Sequence, residues 1–450
     1  MDSNGLKQRH HPPEPKPIPP EDLQRHGTAD TAPSLQHPAG PVKHGGAMQA
    51  LRMSLFGLYF LGSCLWTFLT SLLGLSINVS QFLGVPLYFF NKDLYYAWMA
   101  VTKQHFGLLI TTMTQWWSPT VVRVSGDESV RGQLRQTEDG RLECDFPDRM
   151  ILVANHQIYT DWLYLWWSAY TARMHGHIYI ILKESLKYIP IIGNGMQFFS
   201  FIFLSRKWAN DKPRFQHRLQ KLKARHQGPL SGKHEFDPMW LLIFPEGTNL
   251  SKNGRDSSAR WAAKTNQPDL RHAMLPRSTG LLYCLQEMKD SVEWVYDCTM
   301  AYEGVPRGEY GQDLFTLKST YFEGRPPRSV NMYWRRFAVK DMPLDSPTEF
   351  EKWVLARWRE KDDLLEQYLQ TGRFPADPEG VRYEVAGPRL NGMPKLDKSE
   401  ERKNRGYIET EVRPGNPVEF LQIFVPGAAA VLVVNVAVKM IRLVARIVGA

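Results

Sequence analysis

MILVANHQIYTDW, residues 150–162, passes from a run of five apolar residues directly to the polar pair Asn155-His156. A short apolar run that ends in polar residues is typical of a buried β-strand. The segment that follows, DWLYLWWSAYTARM at 161–174, has the length and composition of a helix. The stretch therefore predicts a strand, a short turn that carries Asn155 and His156, and then a helix.

Three further apolar runs end in the same abrupt way: HIYIIL at 177–182, FIFL at 201–204 and WLLIF at 240–244. Segments of helical character alternate with these runs. Such alternation predicts an α/β fold with a mostly parallel central sheet flanked by helices. In sheets of this kind, ligands bind at the carboxyl ends of the strands, where this sequence places its polar residues.

Two long stretches without a charged side chain, Met53 to Asn91 and Phe420 to Val438, lie on either side of this region. Because roughly 20 apolar residues span a bilayer, we predict N-terminal membrane helices and a C-terminal apolar helix. A buried core helix is the alternative for the first stretch, and a helix lying on the membrane surface is the alternative for the second.

We divide the chain into consecutive segments on these patterns. They are a disordered Pro/His-rich tail at 1–47, a membrane-embedded helical segment at 48–118, an α/β domain at 119–345, a docking helix at 346–372, a Pro/Gly-rich linker at 373–417 and a C-terminal membrane helix at 418–450.

The composition restricts the class of partner. The 450 residues, 43% of them hydrophobic, can bury a large core, and the net charge of +9 suits an anionic partner such as a phospholipid, a phosphorylated substrate or a nucleic acid. No zinc-finger, Walker or RNP-like motif is present, so nucleic-acid binding is not expected. The four cysteines form no Cys-x-x-Cys pair and indicate neither a disulfide framework nor a zinc site.

His156 and Asp161 form the pattern Asn-His-x-x-x-x-Asp. Within one helix, residues five apart differ by about 140° in direction and would not share a face. If His156 instead occupies the turn and Asp161 the first helical turn, the carboxylate can reach one imidazole nitrogen and leave the other free to accept a proton. This pair predicts general-base activation of an alcohol without a covalent enzyme intermediate. A structural histidine is the alternative.

A second group of polar residues follows the other apolar runs. The turn Phe244-Pro245-Glu246-Gly247-Thr248 follows WLLIF, and Gly247 allows close approach of a ligand to backbone amides that can bind an oxyanion. Arg206 ends FIFLSR, where a guanidinium suits bidentate phosphate recognition. Arg206 also opens a basic run, for which we predict a solvated helix or one that faces lipid headgroups. Leu275-Pro276-Arg277 forms the last block.

In this order and spacing, the four blocks resemble the motifs of the glycerolipid acyltransferase superfamily, which contains the 1-acyl-sn-glycerol-3-phosphate acyltransferases. The segments VEWVYDCTMAYEG at 292–304 and EKWVLARWREKDDLLEQY at 351–368 are similar to the branch of lysocardiolipin and lysophosphatidylinositol acyltransferases. The resemblance covers residues 150 to about 372. It implies an O-acyltransferase of an endoplasmic-reticulum or mitochondrial membrane, with acyl-CoA as co-substrate, a lysophospholipid as acceptor, and no cofactor or metal.

The resemblance also assigns roles to residues. His156 would be the base and Asp161 its partner, both catalytic, while Pro276 would shape the wall on the acyl side. The substrate-binding residues would be Asn155, Arg206, Glu246, Gly247, Thr248, Pro276 and Arg277.

The sequence departs from the superfamily pattern at two positions. Asn249 stands where many phosphatidate-forming members carry Arg, and Ser200 stands where the second motif often begins with Gly. The missing cation leaves lysophosphatidate and a diester such as lysophosphatidylinositol or lysocardiolipin equally open as acceptors.

Two other functions are compatible with the same residues. The first is a membrane hydrolase in which the pair activates water, although Gly-x-Ser-x-Gly is absent. The second is a non-catalytic membrane scaffold, which the presence of both His156 and Asp161 disfavours. Protein partners are not predicted by any pattern in the chain.

Overall fold

The computed structural model describes residues 37–65, 81, 84–227, 234–383 and 406–424, and a central β-sheet organises most of them. The strands are β1 Val121–Gly126, β2 Leu134–Gln136, β3 Leu142–Cys144, β4 Arg149–Ala154, β5 Ile178–Lys183, β6 Ile202–Leu204, β7 Arg225–Gln227, β8 His234–Phe236, β9 Met239–Ile243, β10 Trp294–Tyr302, β11 Ser329–Ala338, β12 Val381–Tyr383 and β13 Ile408–Glu411.

The central sheet has eight strands in the order β13-β1-β11-β10-β4-β9-β5-β6. The four predicted strands, β4, β5, β6 and β9, are adjacent and parallel to one another. However, β10 and β11 run antiparallel, as do β1 and β13. The predicted central sheet flanked by helices is confirmed, but the sheet is mixed because β10 and β11, to which the sequence analysis assigned no strand, form a long antiparallel pair.

Helices pack on both faces of this sheet. They are α1 Gly46–Leu65, α2 Leu87–Phe90, α3 Lys92–Trp117, α4 Asp161–Thr171, α5 Ile192–Phe198, α6 Trp208–Leu222, α7 Lys252–Lys264, α8 Ser278–Met288, α9 Gly311–Leu314 and α10 Pro347–Thr371.

Alternation along the strands separates the core into two layers. In β4, Leu152 packs in the layer that contains Trp166 of α4, whereas Val153 packs in the layer that contains Phe215 of α6 and Phe350 of α10. A strand that is buried on both faces consists of a continuous run of apolar residues, and this is why β4 and β9 could be recognised in the sequence. The carboxyl ends of β4 and β9 therefore lie side by side between the two layers.

Helix α10 occupies the predicted docking segment. Pro347 stands in its first turn, Ser346 accepts a hydrogen bond from the amide of Glu349, and Gly372 ends it with a left-handed conformation, φ 73°. These are the start and stop signals expected of a helix. The buried side chains of α10 pack against the α6 and α8 layer.

Two of the predicted non-globular segments contribute to the fold. Within the predicted linker at 373–417, β12 pairs with β2, and β13 forms an edge of the central sheet beside β1. The linker prediction is wrong for these residues, because strands of three or four residues carry too little periodicity to be recognised. At the end of the predicted tail, His37 Nε2 lies 2.8 Å from the carbonyl oxygen of Leu314, so these residues also pack on the domain.

None of the helices in the described part of the chain combines the length and the apolar character needed to cross a bilayer. Residues 66–80, 82–83 and 425–450 of the predicted membrane segments lie outside the described residues. The C-terminal apolar helix therefore stays a prediction.

Candidate active site

The site begins where β4 and β9 end. Val153 and Ile243 are partners in the register of these two parallel strands, so the residues after them leave the sheet at neighbouring points. The His156 imidazole stacks on the Phe244 ring, with centroids 4.3 Å apart and an interplanar angle of 22°. The histidine block and the Phe244–Thr248 turn, 88 residues apart from His156 to Phe244 in the sequence, are thus in direct contact.

The predicted pairing of His156 with Asp161 is present in the geometry. Nδ1 of His156 lies 2.8 Å from Oδ2 of Asp161, which is the first residue of α4. Because a carboxylate can only accept, this bond requires the proton of the neutral imidazole to sit on Nδ1. Nε2 then presents a lone pair, and no described residue forms a hydrogen bond with it.

Asp161 is held in place by more than the imidazole. Its Oδ2 also accepts the backbone amides of Gln157 at 2.6 Å and Ile158 at 3.1 Å, and its Oδ1 accepts the hydroxyl of Tyr302. The side chain is fully buried and stands at a helix N-terminus, where the helix dipole favours a negative charge. The carboxylate thus fixes the turn that carries His156 as well as the ring itself.

The His156 ring is neither sealed in the core nor freely exposed, with 19% of its side chain accessible. Phe244 covers one face of the ring, and Asp161 holds its buried edge. A ring oriented in this way can accept a proton at Nε2 from a group that approaches from solvent.

Asn155 bonds the backbone of β10. Its side-chain amide donates to the Met300 carbonyl at 2.9 Å, its oxygen accepts the Met300 amide at 2.8 Å, and the residue is fully buried. These two bonds extend the pairing of β4 with β10 beyond the last strand residue. Both polar groups of the side chain thus bond the backbone of β10, and the role of Asn155 in substrate binding stays a prediction.

Gly247 has the left-handed conformation that its position requires, φ 75°. Its amide donates to the carbonyl of Phe244 at 2.9 Å and closes the turn. This amide is therefore not available to bind an oxyanion, contrary to the prediction. The next amide, that of Thr248, forms no hydrogen bond with any described residue.

The carboxyl group of Glu246, near His156, has a strongly shifted pKa. Burial raises the pKa of Glu246 to about 8, although a hydrogen bond from Trp358 and the charge of Lys361 oppose the shift. The Trp358 indole donates to Oε1 at 3.3 Å, whereas Oε2 is buried without a hydrogen-bond partner in the described part of the chain. At neutral pH the Glu246 carboxyl group is mostly protonated and can itself donate.

Two arginines converge on this turn. Arg206 donates to the carbonyl of Gly247, and the Arg277 side chain lies 3.8 Å from the position that a Cβ on Gly247 would occupy. Burial, followed by repulsion from Arg277, lowers the pKa of Arg206. The structure therefore places two guanidinium groups beside one exposed glycine, which suits an anion with several oxygens.

Backbone bonds hold both arginines at the site. Arg206 has φ 68°, uncommon for a residue with a side chain, and its neighbours Ser205 and Lys207 both donate their amides to the buried Asp211. The amide of Arg277 donates to the Pro245 carbonyl at 2.8 Å. Pro276, which precedes it, is half-buried next to that turn.

Helix α10 contributes residues that the sequence analysis did not single out. Asp362 accepts the backbone amides of Arg271, His272 and Ala273 at 2.8, 2.6 and 2.9 Å. The same loop is tied to the residue after the candidate base, since Gln157 Nε2 donates to the His272 carbonyl at 3.1 Å. Asp362 therefore holds the loop that leads to Pro276 and Arg277.

Glu366, one turn further along α10, also faces the site. Its carboxylate contacts His272 Nε2 at 2.6 Å and binds Arg307 through both oxygens at 2.6 and 2.7 Å. Trp358, Asp362 and Glu366 are spaced by four residues, so they share one face of the helix. This spacing was the available signal in the sequence.

A buried ion network lies beneath these contacts. The Lys361 ammonium donates to Asp297 at 2.6 Å and to Thr299 at 3.0 Å, while Arg335 binds the other Asp297 oxygen at 2.7 Å. Burial opposes ionisation of Asp297, but Lys361 and Arg335 outweigh it and lower the pKa of Asp297. Removing one partner from such a network costs about 3–5 kcal/mol, so it fixes α10 against β10 and β11.

Comparison with known proteins places this site in a family context. The acyltransferase family matches residues 122–303, and the acyltransferase C-terminus family matches residues 320–396. The chain is 40% identical over 304 residues to a 2-acyl-1-lysophosphatidylinositol acyltransferase of Saccharomyces cerevisiae, which covers 62% of this chain and 77% of the relative.

Two other relatives show the same breadth of similarity. An uncharacterized acyltransferase of Schizosaccharomyces pombe is 39% identical over 300 residues, 67% of this chain and 83% of the relative. Lysocardiolipin acyltransferase 1 of Gallus gallus is 28% identical over 322 residues, 70% of this chain and 74% of the relative.

Proposed function

Because the chain belongs to the glycerolipid acyltransferase superfamily, in the branch of the lysophosphatidylinositol and lysocardiolipin acyltransferases, we propose that it transfers a fatty acyl group from acyl-CoA to the free hydroxyl of a lysophospholipid. As a member of this superfamily, the chain is an O-acyltransferase. Our proposal concerns the acyl donor, the acceptor and the mechanism of transfer. The observation that carries the mechanism is the 2.8 Å contact between His156 Nδ1 and Asp161 at the carboxyl end of the sheet.

In the proposed reaction, the acceptor oxygen attacks the thioester carbonyl carbon while its proton passes to Nε2 of His156. Asp161 stabilises the imidazolium that forms. The tetrahedral intermediate then collapses, the carbon–sulfur bond breaks, and the leaving thiolate of coenzyme A takes the proton from His156. Acyl transfer is direct, without an acyl-enzyme, and the mechanism requires no metal or cofactor. General-base help of this kind contributes about 10²–10⁴ in rate.

The acceptor phosphate is proposed to bind beside Gly247, between Arg206 and Arg277. The exposed guanidinium groups supply bidentate donors, and the Thr248 amide and hydroxyl add others. A protonated Glu246 fits this role because a neutral carboxyl group does not repel the phosphate and can donate from Oε2. Pro276 would form the wall on the acyl side.

A phosphodiester acceptor of the lysophosphatidylinositol type fits the turn best. Asn249 follows the turn and donates to the side chain of Gln312, so no third cation is present there to match the extra charge of a phosphomonoester. A yeast relative bears the name of a lysophosphatidylinositol acyltransferase. Lysophosphatidate and lysocardiolipin are the comparison acceptors.

We also propose that the enzyme works at a membrane, that of the endoplasmic reticulum, with a mitochondrial membrane as the alternative. Both substrates carry acyl chains, and the described helix α1 exposes large apolar side chains, among them Leu51, Met53 and Leu58 at 51%, 55% and 67%. Exposed apolar surface of this extent is typical of a face that contacts lipid or protein. Organelle isolation with the tagged chain tests the location.

Thioester consumption with and without acceptor distinguishes transfer from hydrolysis. We expect purified full-length protein to release coenzyme A from acyl-CoA at an appreciable rate only when a lysophospholipid is present, with the diacyl product formed in equal amount. Mixed lysolipids offered together identify the preferred headgroup. Thioester loss that is independent of the acceptor would identify a hydrolase instead.

A further inference from the structure

A cavity lies at the opposite end of the sheet from His156. It has a volume of about 170 Å³ and reaches Tyr179 and Met239, at the amino-terminal ends of β5 and β9. Its other walls include Tyr88, Tyr95 and Tyr96 from α2 and α3, and Arg218 and Lys221 from α6. The cavity shares no lining residue with the candidate active site.

Arg218 and Lys221 belong to the basic run that follows Arg206. Most other cations of that run have a partner. Arg214 binds Glu184, and Lys223 lies 3.6 Å from Asp290. Lys212 lies over the ring of Tyr283, and Arg225 lies over the ring of Phe236. Arg218 and Lys221 form no ion pair with a described residue. Both line the cavity, so two positive charges face it together with the carboxyl group of Asp237.

Two acidic groups at or near the cavity, Asp93 and Asp237, lie next to His226. His226 Nδ1 lies 2.9 Å from Asp93, and His226 Nε2 lies 3.7 Å from Asp237. Burial raises the pKa of Asp237, while His226 and Arg149 act in the opposite direction. Among the described residues, the Asp237 carboxyl group forms no ion pair with Arg218 or Lys221.

The rim next to Tyr88 has the composition of a membrane interface. Lys92 Nζ lies 5.4 Å from the centre of the Tyr88 ring. The two residues that follow Tyr88, Phe89 and Phe90, are 80% and 87% exposed. Aromatic rings beside lysine and arginine are enriched where a protein meets lipid headgroups. A ligand in this cavity would have exposed phenyl rings at its side.

We infer that this cavity binds the phosphate-bearing headgroup of an anionic membrane phospholipid, as a docking site separate from acyl transfer. The volume corresponds to about five or six water molecules, enough for a phosphate and a small alcohol but not for an acyl chain. Arg218 and Lys221 bind the phosphate, the tyrosines surround the headgroup, and Phe89 and Phe90 contact the acyl region. The inference rests on the proposed membrane association.

Thermal unfolding of the full-length chain in nonionic detergent tests this site without measuring acyl transfer. The probes are dihexanoylphosphatidylglycerol below its micelle-forming concentration, dihexanoylphosphatidylcholine and inorganic phosphate. Because a ligand that binds the folded state raises the midpoint, we expect phosphatidylglycerol to raise it by more than either other probe. The rise should be lost in R218Q/K221Q, and be reduced in K221Q alone.

Two further variants make the result specific. R260Q/K264Q removes the same charge from exposed positions of α7, and R206Q/R277Q removes it from the candidate active site. R260Q/K264Q should retain the full stabilisation by phosphatidylglycerol, and R206Q/R277Q should retain the part of it that depends on Arg218 and Lys221. Retained stabilisation in R218Q/K221Q, its loss in R206Q/R277Q, or an equal effect of inorganic phosphate would each overturn the inference, whether or not the enzyme transfers acyl groups.

Discussion

The indole nitrogen of Trp358 donates to Oε1 of Glu246 across 3.3 Å, and both side chains are buried. This contact joins α10, which lies within the match to the acyltransferase C-terminus family, to the turn that ends β9. The C-terminal helix is therefore part of the site and not only a support for the sheet. It fixes the Glu246 carboxyl group while leaving Oε2 without a hydrogen-bond partner among the described residues.

Replacing Trp358 by Phe should lower kcat/KM for acyl transfer about tenfold. The change keeps the apolar volume but removes the indole donor, and an unpaired buried acceptor costs about 1–3 kcal/mol. Steady-state kinetics with a fixed acyl-CoA measure the effect. Trp353→Phe on the same helix is the control, because Trp353 packs on Phe337 and Phe350 away from the site. Equal losses in both variants would assign the effect to packing.

Glu246 should make the fold less stable as the pH rises from about 4.5 to about 8. The folded state keeps the proton up to a pKa of about 8, whereas the unfolded chain loses it near the ordinary value of 4.5, so the unfolded state binds fewer protons in that interval. Glu246→Gln removes this dependence. The thermal midpoint of the variant minus that of the parent should increase as the pH rises from 5 to 8. A difference that does not change with pH would show that Glu246 ionises normally.

Replacing Asp362 by Asn should raise KM for the lysophospholipid several-fold with a smaller change in kcat. An amide retains only one oxygen acceptor for the three backbone donors at 271–273, so the loop that leads to Arg277 loosens. Asp363→Asn is the matched control, since Asp363 is largely exposed. The interpretation fails if kcat falls while KM stays unchanged.

Arg206→Gln and Arg277→Gln should each raise KM for the lysophospholipid about tenfold or more, with little change in KM for acyl-CoA. Each removes a guanidinium from the proposed phosphate site, and a hydrogen bond to a charged group is worth about 1.5–3 kcal/mol. Lys207→Gln, beside Arg206 but exposed, should behave like the parent. Weaker binding of acyl-CoA alone would place the donor, not the acceptor, between the two arginines.

The parallel half of the sheet and the residues at its carboxyl ends could be predicted from local sequence. β4 and β9 are buried on both faces, so each is an apolar run in the sequence; Asn155-His156 and Phe244 follow these strands directly. The partners that complete the site could not be predicted in this way. Tyr302 is 141 residues from Asp161, Trp358 is 112 residues from Glu246, and no local pattern encodes such contacts.

For Asn155 and Gly247, the sequence patterns marked the residue but not the groups to which it bonds in the fold. Both stand in motifs of the site, and the patterns assigned their polar groups to substrate. In the fold, the Asn155 amide extends the β4–β10 pairing and the Gly247 amide closes a turn. A motif residue can thus serve the backbone that presents the reactive group.

In the proposed mechanism, His156 takes the proton from the acceptor hydroxyl. Acyl transfer from labelled acyl-CoA to lysophosphatidylinositol by His156→Ala protein tests it most directly, with His217→Ala, an exposed histidine of α6, as the control. We predict that the His156 variant keeps its thermal midpoint within a few degrees but loses about 10²–10⁴-fold in rate, while the His217 variant matches the parent. Transfer by the folded His156→Ala protein at the parental rate would contradict the account.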